Sequence, residues 1–423
     1  MRFKNITLVA SLLLVIFFLF QIMSPVVEQP RVTGRIKAPA DVSAILERAC
    51  FNCHSNENKL RWFDKVAPAS WLVNSDIRRA RSAFNLSTWD SLSAAAQQGE
   101  FWEMVNMAIS GKMPLGAYAA LHSSAHLSPE DLVVLKKYAL SLSTFKPQDS
   151  VLIAAADREF AAYQRGKRRL TDLPTAANGV SYFTGYETWQ VISTTNRFDN
   201  IPSIRVVFGN TIAVKAIREN QIAPWPEGAI IVKVVWNITE DKNGVIRPQT
   251  VNSVQFMIKD GERFPDSKGW GFAKFDGINL VPFGKTAAFN TTCLNCHKLC
   301  SETGYVFNVP QQDSVKKREI FDAGALQLIT TFANRSQQTM STLYGNETAL
   351  KAAMMNTRNR EPGAVYALVT WNQANDKYWY GSYISGSLKS VETIRINADT
   401  TIKSSGSAAS AHLILDLRPS ILP

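Results

Sequence analysis

Apolar and polar positions change pattern twice along this chain. Residues 6–23 are almost wholly apolar, a run that would extend about 27 Å as a helix, enough to span the hydrocarbon core of a bilayer. The next stretch reads as short helices with few strands. Its pattern predicts helices over residues 69–81, 101–110, 128–142 and 151–170, the third opened by Ser128-Pro129-Glu130-Asp131, a strong start signal. After a polar linker near 171–179 the pattern turns to strands rich in Val, Ile and aromatics, predicted over 204–209, 229–237, 253–260 and 269–276. One helix, over 213–220, separates the first two. The serine-rich stretch 404–410 reads as a linker or loop.

The strand region repeats itself. Residues 208–237 align with 344–372 with a single-residue gap, and Gly228 to Trp236 has the same spacing as Gly363 to Trp371. Residues from about 335 onward therefore read as a second copy of the first half of the β domain. This copy can pack against the first as an internal pseudo-dimer, or serve as a spacer or docking module.

Length and charge narrow the picture. A chain of 423 residues predicts two to four domains. Net charge is +11, but Lys and Arg are scattered, so no nucleic-acid patch is expected; an acidic redox partner fits the basic surface better. Arg2 and Lys4 precede the apolar run and the next charged residue is Glu28, which predicts a cytoplasmic N-terminus and an exported remainder. The competing reading is a cleaved signal peptide. Its cleavage site should follow closely, yet Met23-Ser24-Pro25-Val26 is a poor one, and Ala38-Pro39-Ala40 lies beyond several charges. The expected location is the bacterial inner membrane, single-pass, with the bulk of the chain in the periplasm.

The cysteines carry the chemistry. Four of the five fall in two pairs, each followed at once by His: Cys50-Phe51-Asn52-Cys53-His54 and Cys293-Leu294-Asn295-Cys296-His297. Two thiols at this spacing can form thioethers with both vinyl groups of one haem, and the adjacent imidazole then reaches the iron. Two covalently attached haems c, each with its iron, are expected. A four-Cys zinc site would have halves more than 200 residues apart and would leave both histidines idle. A thioredoxin-like pair lacks its βαβ context. Cys300 is left over, as a small buried residue or a free thiol.

The first haem needs a sixth ligand. Met113, in the turn-like Gly111-Lys112-Met113-Pro114, is the main candidate. His122 and an open position are the others. With Met113 and His54 as metal ligands, this haem would carry electrons and bind no substrate. In the β domain, Ala229, Ile231, Lys233 and Val235 share one strand face. Lys233 is a cation in a buried-looking strand, where desolvation would lower its pKa and leave a nucleophilic amine. The bland reading is a lysine that snorkels from a strand end. The haemless copy has Leu368 at the matching position.

The stretch from Ala49 to Val73, with Lys112-Met113-Pro114 and the later Leu127-Ser128-Pro129-Glu130-Asp131-Leu132, resembles the haem-binding domain at the N-terminus of many exported bacterial proteins. Ile204-Arg205-Val206-Val207, the segment from Glu227 to Lys233, the stretch from Ile258 to Phe264 and that from Cys293 to Phe307 together resemble the P-460 cytochromes. The resemblance implies a cross-link between Lys233 and the haem macrocycle, a proximal His297, Arg205 near the distal pocket, and an iron with one open position. It also implies hydroxylamine oxidation, with nitric oxide as a related ligand. Where hydroxylamine-oxidising members carry a distal carboxylate this chain places Gln255, and an amide cannot act as a general base. Glu262, Asp266 or water would then have to take the proton.

The expected fold is α+β and multidomain: a transmembrane helix (1–27), a small all-α c-type haem domain (41–147), a helical linker (148–180), an antiparallel β P-460-like haem domain (181–310) and a haemless P-460-like half-repeat (335–423). The expected function is a dihaem oxidoreductase for a small nitrogen species. Electrons would pass through the N-terminal haem to a periplasmic partner. The alternatives are a nitric oxide-binding or sensing protein without turnover, and a dihaem cytochrome that only transfers electrons.

Overall fold

A computed structural model describes residues 2–143, 145–165, 173–310, 320–355, 361–406, 414, 417 and 419–420. The chain divides into two compact units, Met1–Ser143 and Thr144–Pro423.

The first unit is helical: α1 (Arg2–Ile22), α2 (Ala40–Ala49), α3 (Phe51–His54), α4 (Ala69–Ala83), α5 (Ala94–Ile109), α6 (Gly116–Leu121) and α7 (Pro129–Ser141). The predicted start of α7 forms as a capping box. Ser128 Oγ accepts from Asp131 N at 3.2 Å, and Asp131 Oδ2 accepts from Ser128 N at 2.7 Å. Leu46, Ile77, Leu86, Trp102, Val105 and Leu135 are buried at its centre.

The membrane placement is overturned. Among the described residues no helix is long and apolar enough to cross a membrane. The side chains of α1 are described from Ser11 to Ile22, about 18 Å of helix against a hydrocarbon core of about 30 Å. The end of α1 packs on protein: Ala67 N donates to Gln21 Oε1 at 2.9 Å, and Phe20 meets Trp71 edge to face. The single-pass inner-membrane anchor over 1–27 therefore does not stand.

The second unit begins with α8 (Ser150–Gln164), shorter than the predicted helix over 151–170, whose last residues lie outside the described ones. The strands follow as β1 (Gln190–Arg197), β2 (Ser203–Gly209), β3 (Ile230–Glu240), β4 (Val245–Lys259), β5 (Trp270–Asp276), β6 (Val281–Pro282), β7 (Gln327–Asn334), β8 (Thr339–Gly345), β9 (Val365–Asn375), β10 (Ser382–Ile396) and β11 (Ile402–Ser404). Helices α9 (Thr211–Arg218), α10 (Phe289–His297) and α11 (Glu347–Met354) interrupt them. Of the predicted linker 404–410, Ser404 pairs in β11 and residues 407–410 lie outside the described ones.

Here the fold expectation needs its second correction. The two copies do not form two separate β domains. Antiparallel pairing runs β3-β2-β1-β10-β9-β8-β7-β4, and β4 pairs back with β3, which closes an eight-stranded barrel. Four strands come from each copy. The seams are β1 with β10, at Thr195↔Ile384, and β4 with β7, at Ile246↔Ala333. The reason is edge chemistry: each four-stranded sheet alone would leave two rows of unpaired backbone groups, and closure satisfies both.

Strand alternation then sorts the side chains. Val206, Phe208, Val234, Trp236, Tyr344 and Trp371 belong to one buried cluster that fills the barrel. The opposite face of the first copy carries Val207 and Ile231, packed with α9 and with Trp270 and Phe272 of β5. The same face of the second copy packs Leu343, Leu368 and Ile394 against Ala349 of α11. The functional cavity of the second unit opens on the outer face of the first copy.

Candidate haem sites

In the first unit, α2 ends at Ala49 and the chain re-enters a helical turn at Cys50. His54 N donates to Cys50 O at 2.9 Å and Cys53 N to the same oxygen at 3.2 Å. Cys50 therefore lies one turn below Cys53 and His54, on one helical face. Burial pushes the Cys50 thiol up to about 12 and the Cys53 thiol up to about 11, so neither is a thiolate ready for a bare metal ion. Burial also holds the His54 imidazole down at about 4, neutral and able to ligate iron. Its ring stacks on Phe84 at 4.0 Å.

The second site rests on α10. Asn290 ties its first turn to the sheet: Phe272 N donates to Asn290 Oδ1 at 2.8 Å, and Asn290 Nδ2 donates to Ser267 Oγ at 2.6 Å. Cys293, Cys296 and His297 follow along the helix. The chain then turns at Gly304, in the left-handed region at φ 61°. Indole N–H groups of Trp225 and Trp270 donate to Thr303 O and Gly304 O, both at 2.9 Å. This fixes Tyr305 O 2.7 Å from His297 Nδ1. Nδ1 then carries the proton and Nε2 keeps its lone pair for a metal. Phe272 and Phe307 flank the ring, each at 4.9 Å.

These three residues line a cavity of about 310 Å³ with Arg205, Lys233 and Gln255. The sheet register explains the grouping. Val207, Lys233, Gln255 and Lys274 are successive cross-strand partners over β2, β3, β4 and β5, so their side chains form one row. Lys233 is held down at about 7, first by burial and then by the nearby Arg205 and Arg197 guanidinium groups. Arg205 is lowered to about 10 by burial and stays charged; its Nε donates to Ser203 Oγ at 3.1 Å. Gln255 Nε2 donates to Ser253 Oγ at 3.1 Å. The donor set fits a haem: paired thiols one turn apart, a neutral imidazole with one nitrogen fixed, and an apolar-walled slot.

Residues 183–308 match the cytochrome P460 family, and residues 10–141 match a haem-binding domain. The chain joins a haem-binding domain to a cytochrome P460 domain. These matches support haem and its iron as cofactor. Among curated proteins, none matches the chain.

The cytochrome P460 domain brings together Lys233, Arg205, Gln255, Cys293, Cys296 and His297. Glu262 and Asp266, considered from sequence as proton acceptors, are exposed and do not line the cavity. Cys300 is fully buried, and its Sγ donates to His297 O at 3.2 Å. In the haem-binding domain, both ring nitrogens of His122 are engaged, Nε2 with Asp64 Oδ2 and Nδ1 with Tyr118 O, each at 3.0 Å. Met113 lies in the loop before α6 and is 36% exposed.

Sequence reading missed Arg197, Asn308, Asp376 and Trp379, which also line the cavity of the cytochrome P460 domain. Arg197 ion-pairs with Asp199 and lies over the Trp379 ring at 4.4 Å. A signal for Asp376 existed: Trp236 is followed after five residues by Asp241-Lys242, and Trp371 after five by Asp376-Lys377. It has no meaning until the barrel is closed, because Asp376 belongs to the other copy.

Proposed function

We propose that this protein is a dihaem oxidoreductase that oxidises a small nitrogen species, hydroxylamine being the leading candidate. One haem is attached through Cys50 and Cys53 with His54 on the iron and Met113 as sixth ligand. The other is attached through Cys293 and Cys296 with His297 on the iron. The observation that carries this reading is the single cavity lined by Lys233, Arg205, Cys293, Cys296 and His297.

The bound haem supplies the iron that takes substrate and accepts electrons. The chain supplies the rest. Tyr305 O orients His297 through Nδ1, which would present Nε2 to the iron. The Lys233 amine, held down at about 7, would be the nucleophile for a cross-link to the macrocycle. In that step an N–H and a ring C–H bond give way to one C–N bond, and two electrons leave to an added oxidant of the peroxide class. Arg205 and Arg197 place positive charge where an oxygen-bearing substrate gains negative charge. A haem held by Cys50, Cys53 and His54 would supply the exit for electrons, and the net charge of +11 would favour an acidic redox partner.

Hydroxylamine added to the oxidised purified protein should reduce the first haem, read as its ordinary c-type absorbance band. An unchanged spectrum would sink the proposal. A second reading, a nitric oxide-binding protein without turnover, is favoured by Gln255, whose amide cannot accept a proton. Tryptic mass spectrometry separates the two, since an unmodified Lys233 peptide points to binding alone.

A further inference from the structure

We propose that Asp376, contributed by the haemless copy, is the proton acceptor for substrate in the haem cavity of the other copy. This rests on the oxidoreductase reading above and supplies the group that Gln255 cannot. Among the described residues lining the cavity, Asp376 is the one carboxylate.

Its position follows from barrel closure. Strand β9 ends at Asn375 and β10 begins at Ser382, and β10 pairs with β1 through Arg197↔Ser382. The turn between them is thereby carried over to the outer face of the first copy. Asp376 is 9% exposed. Asn308 Nδ2 donates to its Oδ2 at 2.8 Å and Tyr378 N to its Oδ1 at 2.9 Å. A carboxylate has about four lone-pair sites, so capacity remains beyond these bonds and the Ser382 hydroxyl that also acts on it. The charged groups facing it are Arg197 on β1 and Arg205 on β2, and the titratable neighbour is the Cys300 thiol after α10, which burial keeps neutral. Neighbouring Lys377 pairs outward with Glu302 at 2.5 Å.

Burial raises the Asp376 carboxyl above the ordinary range, and Tyr378 N, Arg197, the Ser382 hydroxyl and Asn308 oppose that rise. A carboxylate raised in this way is a stronger base than a free one, which suits proton abstraction. The matching residue of the first copy, Asp241, is only slightly buried and accepts from Arg247 Nη1 at 2.7 Å; it has a partner of its own and no haem cavity to serve. The step assigned is a proton transfer alone. An O–H or N–H bond of hydroxylamine breaks, an O–H bond forms on the Asp376 carboxylate, and no electron moves.

Infrared difference spectra of the oxidised holoprotein, with and without hydroxylamine, test the assignment. The wild type should gain a protonated-carboxyl band on ligand addition, Asp376→Asn should lack it, and turnover should fall about 100-fold or more. A band of equal size in Asp376→Asn, or turnover within twofold of wild type, would overturn it. Unchanged haem spectra in the variant check folding. Asn308→Gly gives an independent measure: residue 308 sits at φ 62°, which glycine accepts. Losing its hydrogen bond should move the acid limb of the pH profile upward, and an unmoved limb would count against Asp376. If the wild type does not turn hydroxylamine over, the oxidoreductase reading fails, while the infrared band still decides the proton acceptor.

Discussion

Lys233 and Gln255 stand directly opposite each other on β3 and β4, and both line the cavity that holds Cys293, Cys296 and His297. In the haemless copy the matching pair is Leu368 and Glu392. The amine and the amide thus occur together only where the cysteines follow.

The depressed pKa of Lys233 predicts a pH effect on the haem-free protein. The folded state releases this proton at about 7, the unfolded state near the ordinary 10.5. Between those values the unfolded chain binds more protons, so stability rises with pH across the window, by up to one proton's slope. Lys233→Met should remove that slope in urea unfolding from pH 7 to 10. Parallel pH curves for the two proteins would contradict the assignment.

Gln255→Glu places a carboxylate across from Lys233 and Lys274. In the Asp376→Asn background, hydroxylamine turnover of the holoprotein should rise about tenfold or more, since a positioned base contributes about 10²–10⁴-fold. An unchanged or lower turnover would mean that this wall of the cavity does not meet the substrate proton.

The distinction between Met113 and His122 can be read by ligand binding. The His122 ring is committed to Asp64 and Tyr118, so His122→Gln should leave the first haem closed to carbon monoxide. Met113→Ala should open it. If His122→Gln opens the iron instead, the ligand assignment is reversed.

Gly304→Ala should cost about 2–5 kcal/mol in urea unfolding. A methyl there would come 2.2 Å from Ile222 O and 2.5 Å from Trp225 Cδ1, at a left-handed φ of 61°. Loss below 1 kcal/mol would show that the turn after α10 relaxes more easily than its packing suggests.

What could be read from sequence was local. The Cys-x-x-Cys-His motifs, the Ser128 cap and the repeat each depend on residues close together in the chain, and the cavity row over β2, β3 and β4 follows from alternation. The closure of the barrel was not legible, because the choice of β10 as the partner of β1 depends on edges that no local pattern marks. Arg197 escaped for a related reason: Gln190–Arg197 is mostly polar, yet Thr194, Thr195 and Asn196 are buried in the seam. Asp376 and Asn308 are 68 residues apart. The apolar run at the N-terminus misled in the other direction, since composition alone does not reveal that Gln21 is bonded to Ala67.

Barrel closure has a last consequence, for evolution. In a ring made of two like halves, each half offers one outer wall and lends one turn to the other. Only one wall here carries the cysteines, so the second half has no such cofactor to hold but still lends its turn. Mutational drift should therefore be unequal along that half, loose around Glu392 and tight from Asp376 to Trp379.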